Sequence, residues 1–401
     1  MLRVLTLSTL FPDSSRPNFG VFVERQTLGL AAHPDVDVRL VAPVGLPGWP
    51  LAALAHYKPL AALPGRESWK GLDTYRPRFA TIPGTGGRFH AAALVRRLKP
   101  LLAEIRRDFA FDVIDAEFFF PDGPAAVTLG EHFGVPVSIK ARGADIHHWG
   151  TAPATAAQVV AAGRQARGML AVSQAMKADM IAIGIPAEPI RVHSTGVDLG
   201  RFAPRDRGAG KAAFGVTGPL VVSLGALIPR KGHDIVLHAV ASLPGVSLLI
   251  AGEGPERAAL EAEIARAGVS DRVRLLGSVP HADLPALLAA ADVMALASSS
   301  EGLANAWVES LACGTPIVIT DAGGASEVVT SPAAGRIVPR DTAAFATAIA
   351  DLLAAPAPRD ETRSAAARFT WEANTAALYE HLSVLVDHFR VFHDTPRHSA
   401  A

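Results

Sequence analysis

Two glutamates, Glu301 and Glu309, are separated by seven residues in Ser299-Ser300-Glu301-Gly302-Leu303-Ala304-Asn305-Ala306-Trp307-Val308-Glu309. The run Asp292-Val293-Met294-Ala295-Leu296-Ala297 ahead of them reads as a buried strand stopped by Ser298-Ser299-Ser300, so a helix is expected to begin near Leu303. Glu301 then lies in a loop and Glu309 on a helix. The first turn of such a helix has unpaired N–H groups and the positive end of the helix dipole, where a diphosphate binds most readily. Glu309, about two turns on, is expected roughly 9–12 Å along the helix from that mouth. A retaining glycosidase needs its two carboxyls roughly 5–5.5 Å apart across one bond, so this spacing suits grasping rather than hydrolysis. The ligand implied is extended, hydroxyl-rich and anionic, the outline of a nucleotide sugar. Spacing alone leaves open a surface glutamate followed by a partly covered helix glutamate.

The elements that must position these groups alternate along the chain. In the first half, apolar runs at 4–7, 36–41, 113–114, 135–139 and 169–172 read as strands, with helices near 21–32, 89–108, 123–133, 155–166 and 174–184. Ser173 is the expected N-cap of the last helix and Gly184 its stop. The second half repeats the rhythm, with strands at 220–224, 247–250, 273–275, 293–296 and 317–319 and helices near 233–243, 255–267, 282–290, 304–313 and 342–353. Such alternation predicts two parallel sheets covered on both faces, with ligands at the carboxyl ends of the strands and a cleft between two domains. The expected division is a first Rossmann-like domain over 1–193, a linker over 194–217, a nucleotide-sugar-binding domain over 218–370, and a helix and tail over 371–401. That last helix is expected to pack back toward the first domain. Residues 44–88, with six prolines, are left unassigned.

Composition narrows the function classes. Lys plus Arg, 38, equals Asp plus Glu, 38, so no global field draws in nucleic acid and any anion site is local. The single cysteine, Cys313, excludes an internal disulfide and falls in an apolar helix, where a core thiol is expected; a reducing cytoplasm fits. The start of the chain is too short and too poorly flanked for a signal peptide, and no apolar run reaches the length of a membrane span. Asp35-Val36-Asp37 imitates an acidic metal motif, but Val36, Val38 and Leu40 alternate with Asp35, Asp37 and Arg39, so the aspartates belong to a strand's polar face. His147-His148 are adjacent and cannot share one helix face as zinc ligands. Near 89–108, Leu94, Leu98, Leu101, Leu102, Ile105 and Phe109 form a stripe beside Arg96, Arg97, Lys99, Arg106 and Arg107. Two readings remain there, a membrane-facing element or a core-packed helix with a solvated basic face; Pro100 is expected to interrupt it.

Taken together, the chain resembles glycosyltransferase family 4, a retaining, nucleotide-sugar-dependent family with the two-domain GT-B fold. The resemblance rests on Glu301-x7-Glu309 with Ala312-Cys313-Gly314-Thr315-Pro316, on Gly323-Gly324 with Glu327, on Pro229-Arg230-Lys231-Gly232, and on Gly196-Val197-Asp198 with Arg201-Phe202. Phe11-Pro12, Pro17-Asn18-Phe19-Gly20-Val21-Phe22-Val23 and Pro121-Asp122-Gly123 are similar to the subgroup typified by a teichuronic acid biosynthesis glycosyltransferase.

The resemblance implies that Glu301 meets the donor sugar's hydroxyls, the amides of Leu303, Ala304, Asn305 and Ala306 the diphosphate, and Glu309 the ribose diol. Two acceptor oxygens on a carboxylate suit a diol. Arg230 and Lys231 would neutralise the departing diphosphate. Gly20 would let backbone approach a phosphate, and Gly252 and Gly254, in a glycine loop too short for a dinucleotide fingerprint, would face the donor nucleotide. The chain also departs from the family. Ala226 stands where many members carry arginine, and Arg142 where members with a catalytic histidine place it; Glu117 occupies another position often held by histidine. An arginine does not release its proton and is no general base. Arg142 is therefore expected to clamp an anion or orient a sugar, with Asp145 and Glu117 on the acceptor side, or else Arg142 and Asp145 form a structural ion pair. The implied activity is metal-independent, cofactor-free transfer of a hexose from a nucleoside-diphosphate sugar to a saccharide or lipid-linked acceptor in envelope or exopolysaccharide synthesis, in the cytoplasm or peripherally at the inner membrane face. A nucleotide-sugar epimerase, a phosphorylase with a pyridoxal cofactor, and an idle sugar-binding scaffold are the alternatives.

Overall fold

The computed structural model describes residues 1–394 and forms two compact units, one of residues 1–194 with the helix Trp371–Asp394, the other Thr195–Thr370. The first unit holds strands β1 Leu2–Leu7, β2 Val36–Val41, β3 Val44–Pro47, β4 Arg66–Trp69, β5 Leu72–Tyr75, β6 Arg78–Thr81, β7 Val113–Ala116, β8 Val137–Ala141, β9 Gly168–Ala171 and β10 Ile190–Val192. Eight of them make one sheet in the order β10-β9-β8-β7-β1-β2-β5-β4, parallel except for the antiparallel edge pair β4 and β5. The apolar runs of β7, β8 and β9 are buried at every position, as strands covered on both faces require. In β2, Asp37 is exposed while Val36, Val38 and Leu40 are buried, so Asp37 lies on the strand's outer side; Asp35, also exposed, is in the turn just ahead of it.

The second unit holds β11 Leu220–Leu224, β12 Ser247–Ala251, β13 Val273–Gly277, β14 Val293–Leu296, β15 Ile317–Thr320 and β16 Gly335–Val338. All pair in parallel, in the order β13-β12-β11-β14-β15-β16. The chain direction across the sheet reverses between β11 and β14, the place where doubly wound sheets bind ligands. Phe345, Ile349 and Leu352 of the helix Thr342–Ala354 join Val236, Val240, Leu248 and Val293 in the core of this unit. In the first unit Leu378, Leu382 and Val386 of the helix Trp371–Asp394 close over Val4, Leu30 and Val113.

Several expectations change. The unassigned stretch 44–88 contains β3 to β6, each four residues long and flanked by prolines, too short to show a period. β10 and β16 were hidden because each carries an arginine inside three or four residues, Arg191 and Arg336. The stretch read as aperiodic linker holds a helix, Arg207–Ala213, whose cap Asp206 accepts the Ala209 N–H at 3.0 Å; Gly208 and Gly210 masked it. Pro100 does not interrupt its helix, which runs His90–Ile105. Its missing N–H falls on an exposed stretch, where water can satisfy the freed carbonyl. Leu94, Leu98, Leu102 and Ile105 are buried, so the stripe faces the unit's own core, and Arg96, Arg97 and Lys99 are exposed. Among the described residues no helix is long and apolar enough to cross a membrane. The tail beyond residue 394 lies outside the described residues.

Candidate functional site

The switch point of the second sheet brings together two loops seventy residues apart in sequence. From the end of β11 the chain runs through Gly225 to a turn at Pro229–Lys231; from the end of β14 it runs through Ser298 to Glu301. Glu301 is 8 % exposed, and its Oε1 accepts from Lys231 Nζ at 2.5 Å and from the Ser298 hydroxyl at 2.6 Å. Arg230 stands 3.5 Å from Oε2 and donates to the Ser300 carbonyl. The sequence reading placed Glu301, Arg230 and Lys231 in one site, and here they touch. A carboxylate between two cations is held in one orientation while leaving positive groups beside it for an anionic ligand.

Backbone contact locks the two loops. The Ser299 N–H donates to the Arg230 carbonyl at 2.8 Å, and Arg340 donates to Ala297 O and Pro229 O at 2.8 Å each, bracing one loop against the other. Gly232 has φ 64, and a Cβ there would stand 2.3 Å from Ala297 O; only glycine lets the turn lie this close to the neighbouring strand end. Gly323 plays the same part behind Glu301, where an added Cβ would meet Glu301 O at 2.2 Å. His233, passed over in sequence, follows this turn as the first residue of the helix His233–Ala241 and sits 2.9 Å from the Ser223 hydroxyl. Burial lowers its imidazole to about 4, so it is neutral at physiological pH.

Gly252 and Gly254 have a packing reason of their own. Side chains there would collide with Gly225 O at 1.8 Å and Leu227 O at 2.3 Å, so both glycines seat the β12 loop against the β11 loop.

The helix after Glu301 is Asn305–Ala312, starting two residues later than expected because Ala304 is extended at φ −70, ψ 124. Glu309 is therefore about one turn, roughly 6 Å, beyond the first helical residue rather than two. No side chain caps the helix, so its opening amides at Asn305 and Ala306 are left to a ligand or water, with Leu303 and Ala304 buried just ahead of them. Glu309 is itself nearly buried and its Oε1 lies 2.8 Å from His281 Nε2. His281 in turn accepts from Arg201 through its backbone carbonyl at 2.8 Å and packs edge-on against Phe202, the ring centroids 5.4 Å apart. Sequence gave no signal for His281, which stands in a Pro-rich loop away from any motif. Cys313 is buried and burial pushes its thiol up to about 12, a core thiol as expected.

In the first unit the carboxyl ends of β1, β7 and β8 carry the remaining candidates. Arg142 pairs with Glu117, not Asp145: its guanidinium donates to the Glu117 carboxylate and, through Nε, to the Glu117 carbonyl at 2.7 Å. Both side chains are buried, and Gln26 also donates to Glu117. Asp145 is instead a backbone clamp, accepting from the amides of Gly143 at 2.7 Å, Phe119 at 2.9 Å and Arg142 at 3.0 Å. Behind them Lys140 is completely buried, donating to Gln26 at 2.6 Å and lying 2.5 Å from His193 Nδ1. Burial first, then the Arg142 charge, holds Lys140 well below the usual lysine range. Burial also raises Asp115, next to Glu117, well above the carboxylate range. Gly20, at φ 72 ahead of the helix Val21–Ala31, presses on Leu10, where a Cβ would meet the carbonyl at 2.5 Å. His147 pairs with Asp179 at 2.8 Å.

Asp122 provides a pH test of this cluster. Its Oδ2 accepts the Thr9 N–H at 2.8 Å, and burial lifts its carboxyl to about 8. A folded value raised above the ordinary aspartate value of 3.8 means the group stabilises the fold fully below 3.8 and loses that contribution as pH rises toward 8. Asp122→Asn is therefore expected to gain stability over the wild type steadily between those limits, by up to about 1.4 kcal/mol per pH unit, read as a melting-temperature difference that widens with pH. His233 and His381, both lowered to about 4, act in the opposite direction in both proteins and cancel in the difference. A flat difference across that range would show that Asp122 is ionised in the fold.

Both units are doubly wound α/β modules with their polar candidates at strand carboxyl ends, and the class they define is the GT-B fold. Sucrose-phosphate synthase from Thermosynechococcus elongatus superposes with a TM-score of 0.81 at 20% identity over 97% of this chain and 100% of that one. Anabaena HepE, solved in complex with UDP and glucose, superposes with a TM-score of 0.74 at 22% identity over 96% of this chain and 100% of that one. By sequence, the family described as Glycosyltransferase Family 4 matches residues 23–201, and Glycosyl transferases group 1 matches residues 206–369. The chain is thus similar to glycosyltransferase family 4 over most of its first unit and to the group 1 glycosyl transferases over most of its second. D-inositol 3-phosphate glycosyltransferases of Mycobacterium tuberculosis and Mycobacterium bovis are 39% identical over 209 residues, 48% of this chain and 43% of theirs. The match therefore spans under half the length of these curated relatives.

Proposed function

We propose that the protein is an anomer-retaining, metal-independent glycosyltransferase that moves a hexose from a nucleoside-diphosphate sugar to a saccharide or lipid-linked saccharide in envelope or exopolysaccharide synthesis, as in the teichuronic acid subgroup. The observation that carries it is the Glu301 carboxylate held by Lys231, Ser298 and Arg230 at the switch point, ahead of an uncapped helix that bears Glu309. In this reading the diphosphate lies between Lys231, Arg230 and the amides at Leu303 to Ala306, which oppose the charge that grows as it leaves. Glu301 holds the sugar's hydroxyls. Glu309, oriented by His281, holds the ribose diol. Gly20, Gly252 and Gly254 keep the neighbouring backbone close to the donor. The bond from the sugar's anomeric carbon to the phosphate oxygen breaks, the acceptor oxygen bonds to that carbon on the same face, and its proton passes to the departing phosphate. No protein nucleophile is needed. Arg142 and Glu117 act as a buried pair that shapes the first unit's strand ends on the acceptor side, with Asp145 fixing their loop.

A thermal-shift screen of nucleotide sugars tests the reading. UDP-glucose, the ligand in a HepE structure, is a natural first member. A donor at a hundred times its dissociation constant should stabilise the fold by about 2.7 kcal/mol. Transfer with the stabilising donor is then assayed on saccharide, lipid-linked and phosphorylated polyol acceptors, the last suggested by the relatives' name. No stabilisation by any nucleotide sugar would remove the proposal. Transfer should also survive a chelator, because Arg230, Lys231 and the helix amides take the place of magnesium held by carboxylates. An enzyme that dies on chelation and recovers with magnesium or manganese would overturn the metal-independent mechanism.

A further inference from the structure

In the second unit, residues 198–202 fold into a turn held by its own first residue. Asp198 Oδ1 accepts the N–H groups of Gly200 at 3.1 Å and Arg201 at 3.0 Å, and the Asp198 carbonyl accepts the Phe202 N–H at 2.8 Å. A side-chain oxygen that takes the amides two and three residues on fixes such a turn without help from a neighbouring strand. Phe202 is fully buried and Arg201 half-buried. The turn is tied at two places to the helix Asn305–Ala312, which bears Glu309.

The first tie is at the end of that helix. Arg363 donates through Nη1 to the Phe202 carbonyl at 2.8 Å and to the carbonyl of Ala312, the last helical residue, and through Nη2 to the Leu199 carbonyl at 2.6 Å. One guanidinium thus satisfies a helix-end carbonyl and clamps the turn to it. The second tie runs through His281. Arg201 holds the His281 carbonyl, the Phe202 ring packs edge-on against the imidazole, and imidazole Nε2 reaches the Glu309 carboxylate. To donate to a carboxylate that nitrogen must carry the proton, so the seat of the ring decides where the carboxylate is held. The side chains of His281 and Glu309 are 20% and 11% exposed, which leaves water little access to the bond between them. A carboxylate has about four lone-pair sites, so the His281 N–H leaves room for two hydroxyls. A glutamate already held in place also spares a ligand the entropy of ordering it.

We propose that the turn 198–202 sets the grip of Glu309 on the nucleotide's ribose, with Arg201, Phe202 and His281 as positioning residues that act in series. The proposal rests on the reading that Glu309 takes the ribose diol. It adds that ribose recognition is conditional on the seating of the segment through which the chain enters the second unit.

The test is titration calorimetry of the full chain with UDP, GDP and ADP, then with the 2′-deoxy form of whichever binds tightest. The wild type is expected to prefer the ribonucleotide about tenfold to a hundredfold, the worth of a hydrogen bond to a charged acceptor. Glu309→Ala should erase that preference. His281→Leu should reduce it about tenfold and Arg201→Met at least about twofold, within the range for groups coupled by direct contact. His281→Gln keeps an N–H donor on a side chain of similar reach and should retain most of it. Arg201 and His281 are both partly exposed, and melting temperatures near the wild type identify the folded variants. A wild type that binds none of the three, or binds both sugar forms equally, overturns the ribose reading and this proposal together. So does a preference that survives Glu309→Ala. A preference lost in Glu309→Ala but kept in full in His281→Leu or Arg201→Met overturns this proposal alone. A loss in His281→Gln as large as in His281→Leu does the same, because it makes the imidazole a packing element.

Discussion

Lys231→Ala is expected to slow sugar transfer roughly a hundredfold to a thousandfold, about 2.7–4 kcal/mol, with nucleotide affinity falling much less. Lys231 is the cation whose position is most tightly set: its Nζ is 2.5 Å from Glu301, and its stem runs past Gly225, where an added Cβ would stand 3.4 Å from it. A charge fixed in advance needs no reorganisation when the leaving diphosphate gains negative charge, so its effect belongs to the transition state. Glu301→Gln should show a loss of similar size, because the amide keeps the shape but no longer anchors Lys231 and receives sugar hydroxyls more weakly. Arg230→Ala should cost less, since Arg230 is the more exposed of the two and spends one donor on the Ser300 carbonyl. Glu309→Ala should raise the dissociation constant for nucleotide and leave the rate with bound donor closer to wild type. Steady-state kinetics with nucleotide titrations separate these outcomes. Near-wild-type turnover in both Lys231→Ala and Glu301→Gln would remove the site from the reaction.

How much of this was legible depended on distance in the chain. The strands β12 and β14 announced themselves because four consecutive apolar residues leave little alternative inside a covered sheet, and β2 did so by its alternation of apolar and polar residues. The contact between Lys231 and Glu301 could not be seen in the same way. It depends on β11 lying beside β14 rather than β13, a matter of strand order that no local pattern encodes. Only the resemblance joined the two segments. The start of the helix bearing Glu309 was misplaced by two residues because Leu303-Ala304 has good helix formers in an extended conformation, where packing overrides propensity. His281 and Ser298 were missed for a plainer reason: each acts on a glutamate by contact across a loop and carries no periodic or motif signal of its own. Gly252 and Gly254 were noticed as a phosphate loop in outline, although close approach of the β11 loop already accounts for both.

Glu117→Ala is expected to destabilise the first unit by about 3–5 kcal/mol, the usual cost of removing one partner from a buried ion pair. Glu117 is 1% exposed and is the one carboxylate paired with Arg142, whose own side chain is 6% exposed; Gln26 and Lys140, the other polar groups in contact with this cluster, offer no replacement anion. The Arg142 charge and the Phe22 ring 4.9 Å away would be left in a pocket without an anion. Arg142→Met should be nearly as costly, because it strands the buried Glu117 carboxylate without its guanidinium partner. The double variant Glu117→Leu with Arg142→Met is the informative one. Replacing both partners by apolar groups of similar volume commonly recovers most of the loss, so its melting temperature should return toward the wild type. Its activity then assigns the pair's role. A double variant that folds and transfers sugar normally makes the pair purely structural; one that folds but has lost transfer places Arg142 or Glu117 at the acceptor. Single variants with melting temperatures equal to the wild type would contradict the burial of the pair itself.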